Sequence, residues 1–226
     1  WDEVNKSRSA RNIYRAIDWA KVNYLSLDDS TQGTIDWAQV DYKKASKSDT
    51  FSINTPDWDE VNKSKLARNI YRDIDWAKVD YSSIDRTLKN SLDWTKVDYK
   101  KAVKSTSFKI DAVDWREVNN SRYATNIYRA IDWSKVNYLS MDDSVKDSLD
   151  WSKVDYKKAN KSISTRSSES IPLDTYNWDQ INNSKSARNI YRSIDWSKVD
   201  YSSIDDSMKE SLDWTQVDYR KATKSD

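Results

Sequence analysis

The stretch Ile17–Tyr24, with the sequence IDWAKVNY, decides the fold because variants of it recur through the whole chain. Each copy carries a tryptophan at the same place, and the 226-residue chain has no tryptophan elsewhere. The 12 tryptophans are Trp1, Trp19, Trp37, Trp58, Trp76, Trp94, Trp115, Trp133, Trp151, Trp178, Trp196 and Trp214. They are 18 residues apart within groups of three, and 21 or 27 residues apart between groups. Regular spacing of this kind is typical of a repeat protein.

Three kinds of 18-residue repeat alternate in a fixed order. The first kind begins at Trp1 and contains Asn12–Arg15 (NIYR), the second begins at Trp19, and the third begins at Trp37. Together they form a superrepeat, and we predict a single repeat array of four superrepeats: 1–57, 58–114, 115–177 and 178–226. The first repeat lacks the aspartate that precedes nearly every other tryptophan, and the last repeat ends where its counterparts continue into a linker. We therefore expect the chain to be a fragment of a longer array.

A linker follows the third repeat of each of the first three superrepeats. The linkers are Asp49–Asp57, Thr106–Asp114 and Ile163–Asn177. The third is rich in serine and contains Pro172, a composition that predicts an exposed loop. The first superrepeat resembles the third, and the second resembles the fourth. This pattern indicates either duplication of a pair of superrepeats or two-sided packing of alternate superrepeats.

The pattern of apolar residues favours helices over a β-helix. A left-handed β-helix also has 18 residues per coil but needs an apolar residue every six positions, and Ser7 and Lys43 break that rule. In contrast, Tyr201, Ile204, Met208 and Leu212 lie on one face of a helix. We predict that each repeat is a capped turn holding tryptophan and valine, a bend, and a helix of about ten residues. Such repeats would stack as an all-α solenoid of twelve units.

Asp and Asn stand at two fixed positions of the repeat. One precedes every internal tryptophan and the other follows every tryptophan by four residues. Because these side chains accept hydrogen bonds from free N–H groups at helix starts, we interpret both positions as caps. Rows of aspartates could instead bind Ca²⁺, but calcium loops gather several oxygens in one segment, which the repeat does not.

Composition excludes several functions. The 38 basic and 37 acidic residues nearly cancel, so the strongly basic surface expected of a nucleic-acid-binding protein is absent. The chain has no Cys and no His, which excludes disulfides, thiol catalysis and zinc bound by these residues. The missing Cys is compatible with export and assigns no compartment. No segment has the roughly 18 apolar residues of a membrane span.

Tryptophan and tyrosine supply the expected core, because Leu, Ile, Val and Phe together number only 41. An exposed tryptophan row that stacks on sugars or bases is the alternative. The tyrosines of the third repeats are predicted to form a partly exposed binding edge. They are Tyr42, Tyr99, Tyr156 and Tyr219.

A row of arginines is the second candidate for partner binding. It consists of Arg15, Arg72, Arg129 and Arg192, one in each superrepeat. Arginine recognises carboxylate and phosphate groups, although an ion pair with an aspartate of a neighbouring repeat is the interpretation that we favour. The basic segment at Lys43–Lys47 and its counterparts are expected to pair with nearby acids or to remain solvated.

The motif at Ile194–Tyr201 (IDWSKVDY) resembles short Trp/Asx repeats in large uncharacterised cyanobacterial repeat proteins, a resemblance that implies no activity. Since potential acid–base residues recur in every superrepeat and no phosphate loop exists, we expect no enzyme activity and no cofactor. We expect a scaffold that binds a protein partner or associates with itself. The alternatives are a glycan-binding module and a single-stranded nucleic-acid-binding array.

Overall fold

The structure is a computed structural model that describes residues 1–138, 141–159 and 173–222. These residues contain α-helices and 3-10 helices and no β-strand, so the prediction of an all-α protein is confirmed. Of the predicted exposed loop at Ile163–Asn177, residues 163–172 lie outside the described residues. The prediction is wrong for much of the remainder, because Leu173, Thr175 and Tyr176 are buried. The chain divides into two compact halves, Trp1–Asp114 and Trp115–Asp226, each of which spans two superrepeats.

The first repeats consist of two short α-helices. The first helix starts at or just after the tryptophan and the second carries the NIYR sequence. Their bounds are Asp2–Lys6 and Ala10–Ala16, Trp58–Lys63 and Ala67–Asp73, Trp115–Asn120 and Ala124–Ala130, and Trp178–Asn182 and Ala187–Ser193.

The second and third repeats are made mostly of single turns. In the second repeats, 3-10 helices lie at Trp19–Lys21, Tyr24–Ser26, Tyr81–Ser83, Trp133–Lys135, Trp196–Lys198 and Tyr201–Ser203, and α-helices at Asp29–Thr34, Arg86–Ser91, Asp143–Ser148 and Asp206–Ser211. In the third repeats, 3-10 helices lie at Trp151–Lys153 and Trp214–Gln216, and α-helices at Tyr42–Ala45, Tyr99–Ala102, 156–159 and Tyr219–Ala222. The linkers add the 3-10 helices Ile110–Ala112 and Leu173–Thr175.

The prediction of a helix of about ten residues is wrong, because the longest described helices have seven residues. In the segment Tyr201–Leu212, Ile204 is extended and Asp205 starts a new helix by accepting a hydrogen bond from the Met208 N–H. The apolar stripe survives this break: Tyr138, Met141, Val145 and Leu149, which have the same spacing, are all buried.

Each half has its own aromatic core. The prediction that tryptophan forms the core is confirmed, since ten of the twelve tryptophans are buried and Trp1 and Trp214 are half-buried. Tyrosines of the first repeats stack on the next tryptophan, with ring centroids 5.8 Å apart for Tyr14 and Trp19 and 5.6 Å for Tyr128 and Trp133. Such aromatic pairs add to the stabilisation from burial alone.

Candidate interaction surface

The buried indoles are held by one recurring hydrogen bond. The Nε1–H of Trp133 donates to the carbonyl oxygen of Tyr128, five residues earlier, at 2.8 Å. The same bond is made at Trp19, Trp37, Trp58, Trp76, Trp94, Trp151, Trp178, Trp196 and Trp214. The polar atom of each of these indoles is therefore already occupied, and the buried rings do not offer a stacking platform.

The tyrosines of the third repeats do not form the predicted binding edge in the first three superrepeats. Tyr42, Tyr99 and Tyr156 are buried, and each hydroxyl donates to the carbonyl oxygen of the tryptophan five residues earlier, at 2.9–3.0 Å. Burial raises the pKa of Tyr42 and Tyr156 well above its ordinary value. Only Tyr219, in the last repeat, keeps the predicted exposure, at 53%.

The first repeats have a different tyrosine, which connects them to the third repeats. The hydroxyl oxygen of Tyr14 accepts a hydrogen bond of 2.7 Å from the backbone N–H of Asp36, the residue before the third tryptophan. Tyr71, Tyr128 and Tyr191 accept the equivalent bond from Asp93, Asp150 and Asp213. Burial raises the pKa of Tyr14 to about 12, and the Asp36 N–H opposes part of that rise.

An asparagine in each first repeat completes this connection, and sequence reasoning missed it. Asn119 Nδ2 donates to the carbonyl oxygen of Ser148 at 2.7 Å, while Asn119 Oδ1 accepts from the Tyr128 hydroxyl at 3.0 Å. Asn5, Asn62 and Asn182 make the same Nδ2 bond to a carbonyl 29 residues later. An amide side chain donates and accepts at once, whereas the carboxylate of an aspartate only accepts. The signal was present, since this position is Asn in all four first repeats but Asp in every third repeat.

The capping interpretation is therefore correct at some Asx positions and wrong at others. Asp57 and Asn177 accept from the N–H three residues later, and Asp41 and Asp98 do so at the second position. The four asparagines of the first repeats lie inside or at the end of helices and are links, not caps.

Asp18 also makes no side-chain cap hydrogen bond. Its counterpart Asp132 accepts from both the N–H and the hydroxyl of Ser134, whereas residue 20 is alanine. These bonds lower the pKa of Asp132, the hydroxyl contributing most. Among the described residues, no group of three or more acidic side chains is placed to hold a metal ion.

The arginine row lies on the surface. Arg15, Arg72, Arg129 and Arg192 are exposed, each near the end of the second helix of a first repeat. Arg72 lies 3.8 Å from Asp73 of its own repeat. In the part of the chain that the structure describes, no acid pairs with Arg15, Arg129 or Arg192, so the expected ion pair with a neighbouring repeat is wrong for these three.

The basic segments of the third repeats behave as expected. The second lysine of each segment pairs with the aspartate that caps its own helix, as in Lys44 with Asp41 and Lys158 with Asp155, at 3.8 and 3.6 Å. Exposed pairs of this kind contribute little to stability. Among the described residues, the arginine row has one acidic partner, Asp73 beside Arg72.

A cleft of about 450 Å³ lies beside the first linker, within the first half of the chain. Phe51, Ile53, Ile74 and Val79 contribute apolar lining. Asp49, Asp75, Asp80 and Lys78 also line it, so the cleft has three carboxylates and one ammonium group. It is therefore unsuited to an anion.

Comparison of the chain with protein-family models, with curated proteins and with solved structures finds no match. The described helices are also too short and too polar for any of them to cross a membrane. The function has to be argued from the surface itself.

Proposed function

We propose that the chain is a non-catalytic α-solenoid scaffold of twelve repeats that binds an acidic segment of a partner protein through its arginine row. The observation that carries the proposal is the exposure of Arg15, Arg129 and Arg192 without an acidic partner among the described residues. Arginine matches the geometry of a carboxylate with two parallel hydrogen bonds.

The connections between superrepeats support a solenoid. The backbone N–H of Trp37 donates to Glu60 Oε2 of the next superrepeat at 3.0 Å, and that of Trp151 donates to Gln180 Oε1 at 2.9 Å. A core built from such neighbour contacts, with no central one, is typical of repeat proteins. In each half, the second helix of the first repeats carries the arginine at the same register of its superrepeat.

The setting of the arginines supports protein recognition. Arg11 and Arg15 are four residues apart on the Ala10–Ala16 helix, with exposed Asn12 between them, whereas Ala10 and Tyr14 are buried. The Ala187–Ser193 helix repeats this arrangement with Arg188, Asn189 and Arg192. Helices anchored by buried residues hold these donors in a fixed pattern, which reduces the entropy lost on binding.

The alternatives have less support. Burial of the tryptophans and of the third-repeat tyrosines leaves few exposed rings for stacking on a glycan or on single-stranded bases. The near balance of charge also opposes nucleic-acid binding.

The experiment compares two fourfold variants that remove the same number of cations. The test variant replaces Arg15, Arg72, Arg129 and Arg192 by serine. The control variant replaces Lys43, Lys100, Lys157 and Arg220, which are exposed at one register of the third repeats. Binding of fluorescent poly-glutamate, a thymidine oligonucleotide and a mixed oligosaccharide set is measured by anisotropy at physiological salt.

We expect wild type and control to bind poly-glutamate and the test variant to bind about thirtyfold more weakly, since four exposed ion pairs contribute about 0.5 kcal/mol each. Equal losses in both variants would contradict recognition by the arginine row. Binding of the oligonucleotide or the oligosaccharides in preference to poly-glutamate would overturn the choice of partner.

A further inference from the structure

We propose that the cleft beside the first linker binds a small organic cation, in which an ammonium group is carried on an aromatic or branched aliphatic body. Such binding goes beyond the scaffold function and does not depend on it, because no residue of the arginine row lines this cleft. The cleft has a volume of about 450 Å³, which lies within the range of small-ligand pockets.

The cleft is formed by three segments of the first half of the chain. They are Leu25 of the first superrepeat, residues 46–53 around the start of the first linker, and residues 74–83 of the second superrepeat. Two hydrogen bonds join the last two segments: the Asp75 N–H donates to Ser46 Oγ at 3.3 Å, and Asn54 Nδ2 donates to the carbonyl oxygen of Ser83 at 3.2 Å. The cleft is therefore held open by the fold itself, which reduces the entropy lost when a ligand binds.

Apolar side chains offer a surface for the body of the ligand. Leu25 is 79% exposed, the highest exposure of any large apolar side chain among the described residues. Phe51 is half-buried, and Ile53 and Val79 add to the apolar lining. Serine stands at the register of Leu25 in the second and fourth superrepeats, so the repeat fold does not require leucine there. A ligand that covers Leu25 gains from the burial of its side chain.

The charge of the lining favours a cation. Asp49, Asp75 and Asp80 contribute three carboxylates, against the one ammonium group of Lys78. Within the part of the chain that the structure describes, none of these four side chains forms an ion pair. Hydrogen bonds from the hydroxyl and the N–H of Ser82 lower the pKa of Asp80 and keep it ionised. Since no three described acidic groups are placed to hold a metal ion, an organic cation fits these dispersed charges better.

The hydroxyl groups of the lining are already engaged. Ser46 Oγ donates to the carbonyl oxygen of Tyr42 at 2.7 Å and accepts from the Asp75 N–H. Each of the others also makes a hydrogen bond within the chain; they are Ser48, Thr50, Ser52 and Ser83. A buried peptide backbone needs hydrogen-bond partners and finds few in this cleft. A small ligand held by its apolar body and its charge does not need them.

The first part of the test uses three probes that separate charge from body. Phenethylammonium has both features, 3-phenylpropionate has a similar body with the opposite charge, and methylammonium has the charge without the body. Binding to the full chain is followed by NMR of the methyl groups of Leu25, Ile53 and Val79, up to about 20 mM probe. We expect phenethylammonium to bind with a Kd of about 1 mM and the other two probes to bind at least about tenfold more weakly.

Charge variants form the second part. Asp80→Asn keeps the oxygen that accepts from Ser82, and Asn stands at this register in the first and third superrepeats. We expect it to weaken binding of phenethylammonium about twofold, and Lys78→Gln to strengthen binding about twofold. Asp200→Asn is the control, because it makes the same change at the same register in the second half of the chain. It should leave the affinity unchanged.

An apolar pair of variants completes the test. Leu25→Ser should weaken binding about threefold, because it removes the exposed apolar side chain of the cleft. Leu66→Ser is its control, since Leu66 is 43% exposed and does not line the cleft. Circular dichroism and thermal unfolding check that each variant is folded.

Methyl shifts confined to the cleft, with the expected gain in Lys78→Gln and the expected losses in Asp80→Asn and Leu25→Ser, would support the proposal. A general loss of structure cannot produce charge effects of opposite sign. Absence of shifts up to the highest probe concentration would overturn it, as would equal binding of 3-phenylpropionate. Equal losses in Asp80→Asn and Asp200→Asn would also overturn it, because the cation would then not be held in this cleft.

Discussion

The side chain of Asn119 bonds to the backbone of Ser148, 29 residues further along the chain, through a hydrogen bond of 2.7 Å from Nδ2 to the carbonyl oxygen. Asn119 also accepts from the hydroxyl of Tyr128, which in turn accepts from the backbone N–H of Asp150. One amide and one phenol thus connect the first repeat to the end of the second and the start of the third. The three-repeat superrepeat, more than the 18-residue repeat, is the unit that these bonds hold together.

The chemistry of this amide predicts that Asn119→Asp destabilises the protein by about 1–3 kcal/mol, because the Ser148 carbonyl loses its donor and a part-buried charge is added. Asn23→Asp is the matched control. Asn23 makes no side-chain cap hydrogen bond, and Asp occupies the same register in the second and fourth superrepeats. It should change stability by less than about 0.5 kcal/mol. Urea unfolding measures both variants, and equal effects would show that the amide is not required.

The buried tyrosines predict a contrast between two identical substitutions at one register. Tyr156→Phe removes the donor to the Trp151 carbonyl oxygen, at 2.9 Å in the core, and should cost about 0.5–1.5 kcal/mol. Tyr219→Phe should cost less, because Tyr219 is exposed and water can replace its bonds. Thermal unfolding compares the two variants. A larger loss for Tyr219→Phe would contradict the assignment of core and surface.

The cap hydrogen bonds of Asp132, which Asp18 lacks, predict a second contrast in stability. Asp132→Ala should cost about 1 kcal/mol, because it removes the acceptor for the N–H and hydroxyl of Ser134. Asp18→Ala should have an effect of less than about 0.5 kcal/mol, since Asp18 makes no cap bond and its ion pair with Lys21 is exposed. The substitution Ala20→Ser introduces the serine that stands at the same register in the third superrepeat. On this background, Asp18→Ala should lower the free energy of unfolding. Denaturant unfolding measures the stability of Asp132→Ala, and of Asp18→Ala with and without Ala20→Ser.

Alkaline pH should unfold the protein steeply. Burial raises the pKa of Tyr14 and Tyr191 to about 12 and that of Tyr138 and Tyr156 well above its ordinary value. Because the pKa of these tyrosines is higher in the folded protein, their protonated hydroxyls contribute fully to folding stability below the unfolded pKa of about 10. This contribution is lost as the pH rises through the folded pKa values. Each such tyrosine adds a slope of about 1.4 kcal/mol per pH unit in that window.

The measurement follows tyrosinate absorbance and circular dichroism in one pH titration. We expect the absorbance of the buried tyrosines to appear together with the loss of helix. If most tyrosines ionise near pH 10 while the helical signal stays unchanged, the hydroxyls are not buried as described.

Much of the architecture could be predicted from the tryptophan register. Trp at a fixed place beside Val or Ile is what a packed core requires, and ten buried rings agree with it. Asp57 could be recognised as a cap from the residues that follow it, and it does accept from the Glu60 N–H.

Helix length could not be predicted from the same pattern. A stripe such as Tyr138, Met141, Val145 and Leu149 is buried whether one helix carries it or two short helices separated by an extended residue. The period of the apolar residues does not distinguish these cases. The competing cap at Asp205 decides the matter in the equivalent segment of the fourth superrepeat, because its side chain offers the backbone a new helix start.

The candidate site was harder to predict because exposure depends on distant neighbours. Tyr42 and Tyr219 occupy the same register, yet Tyr42 is buried and contacts Trp58, whereas Tyr219 is exposed. Burial at that register is a property of the next superrepeat and cannot be read from the repeat itself. The role of Asn119 was hidden for the same reason, since its partner lies 29 residues away.

Hydrogen exchange of the indole Nε1–H groups, followed by NMR of the tryptophan side chains, tests most directly the claim that the aromatic repeats are structural. Nine buried indoles should exchange slowly, because each donates to the carbonyl oxygen five residues earlier; they are Trp19, Trp37, Trp58, Trp76, Trp94, Trp133, Trp151, Trp178 and Trp196. Trp1, which is half-buried, should exchange fast. Slow exchange at those nine positions is the result that the account predicts. Fast exchange at most of them would show that the tryptophans face solvent and would contradict it.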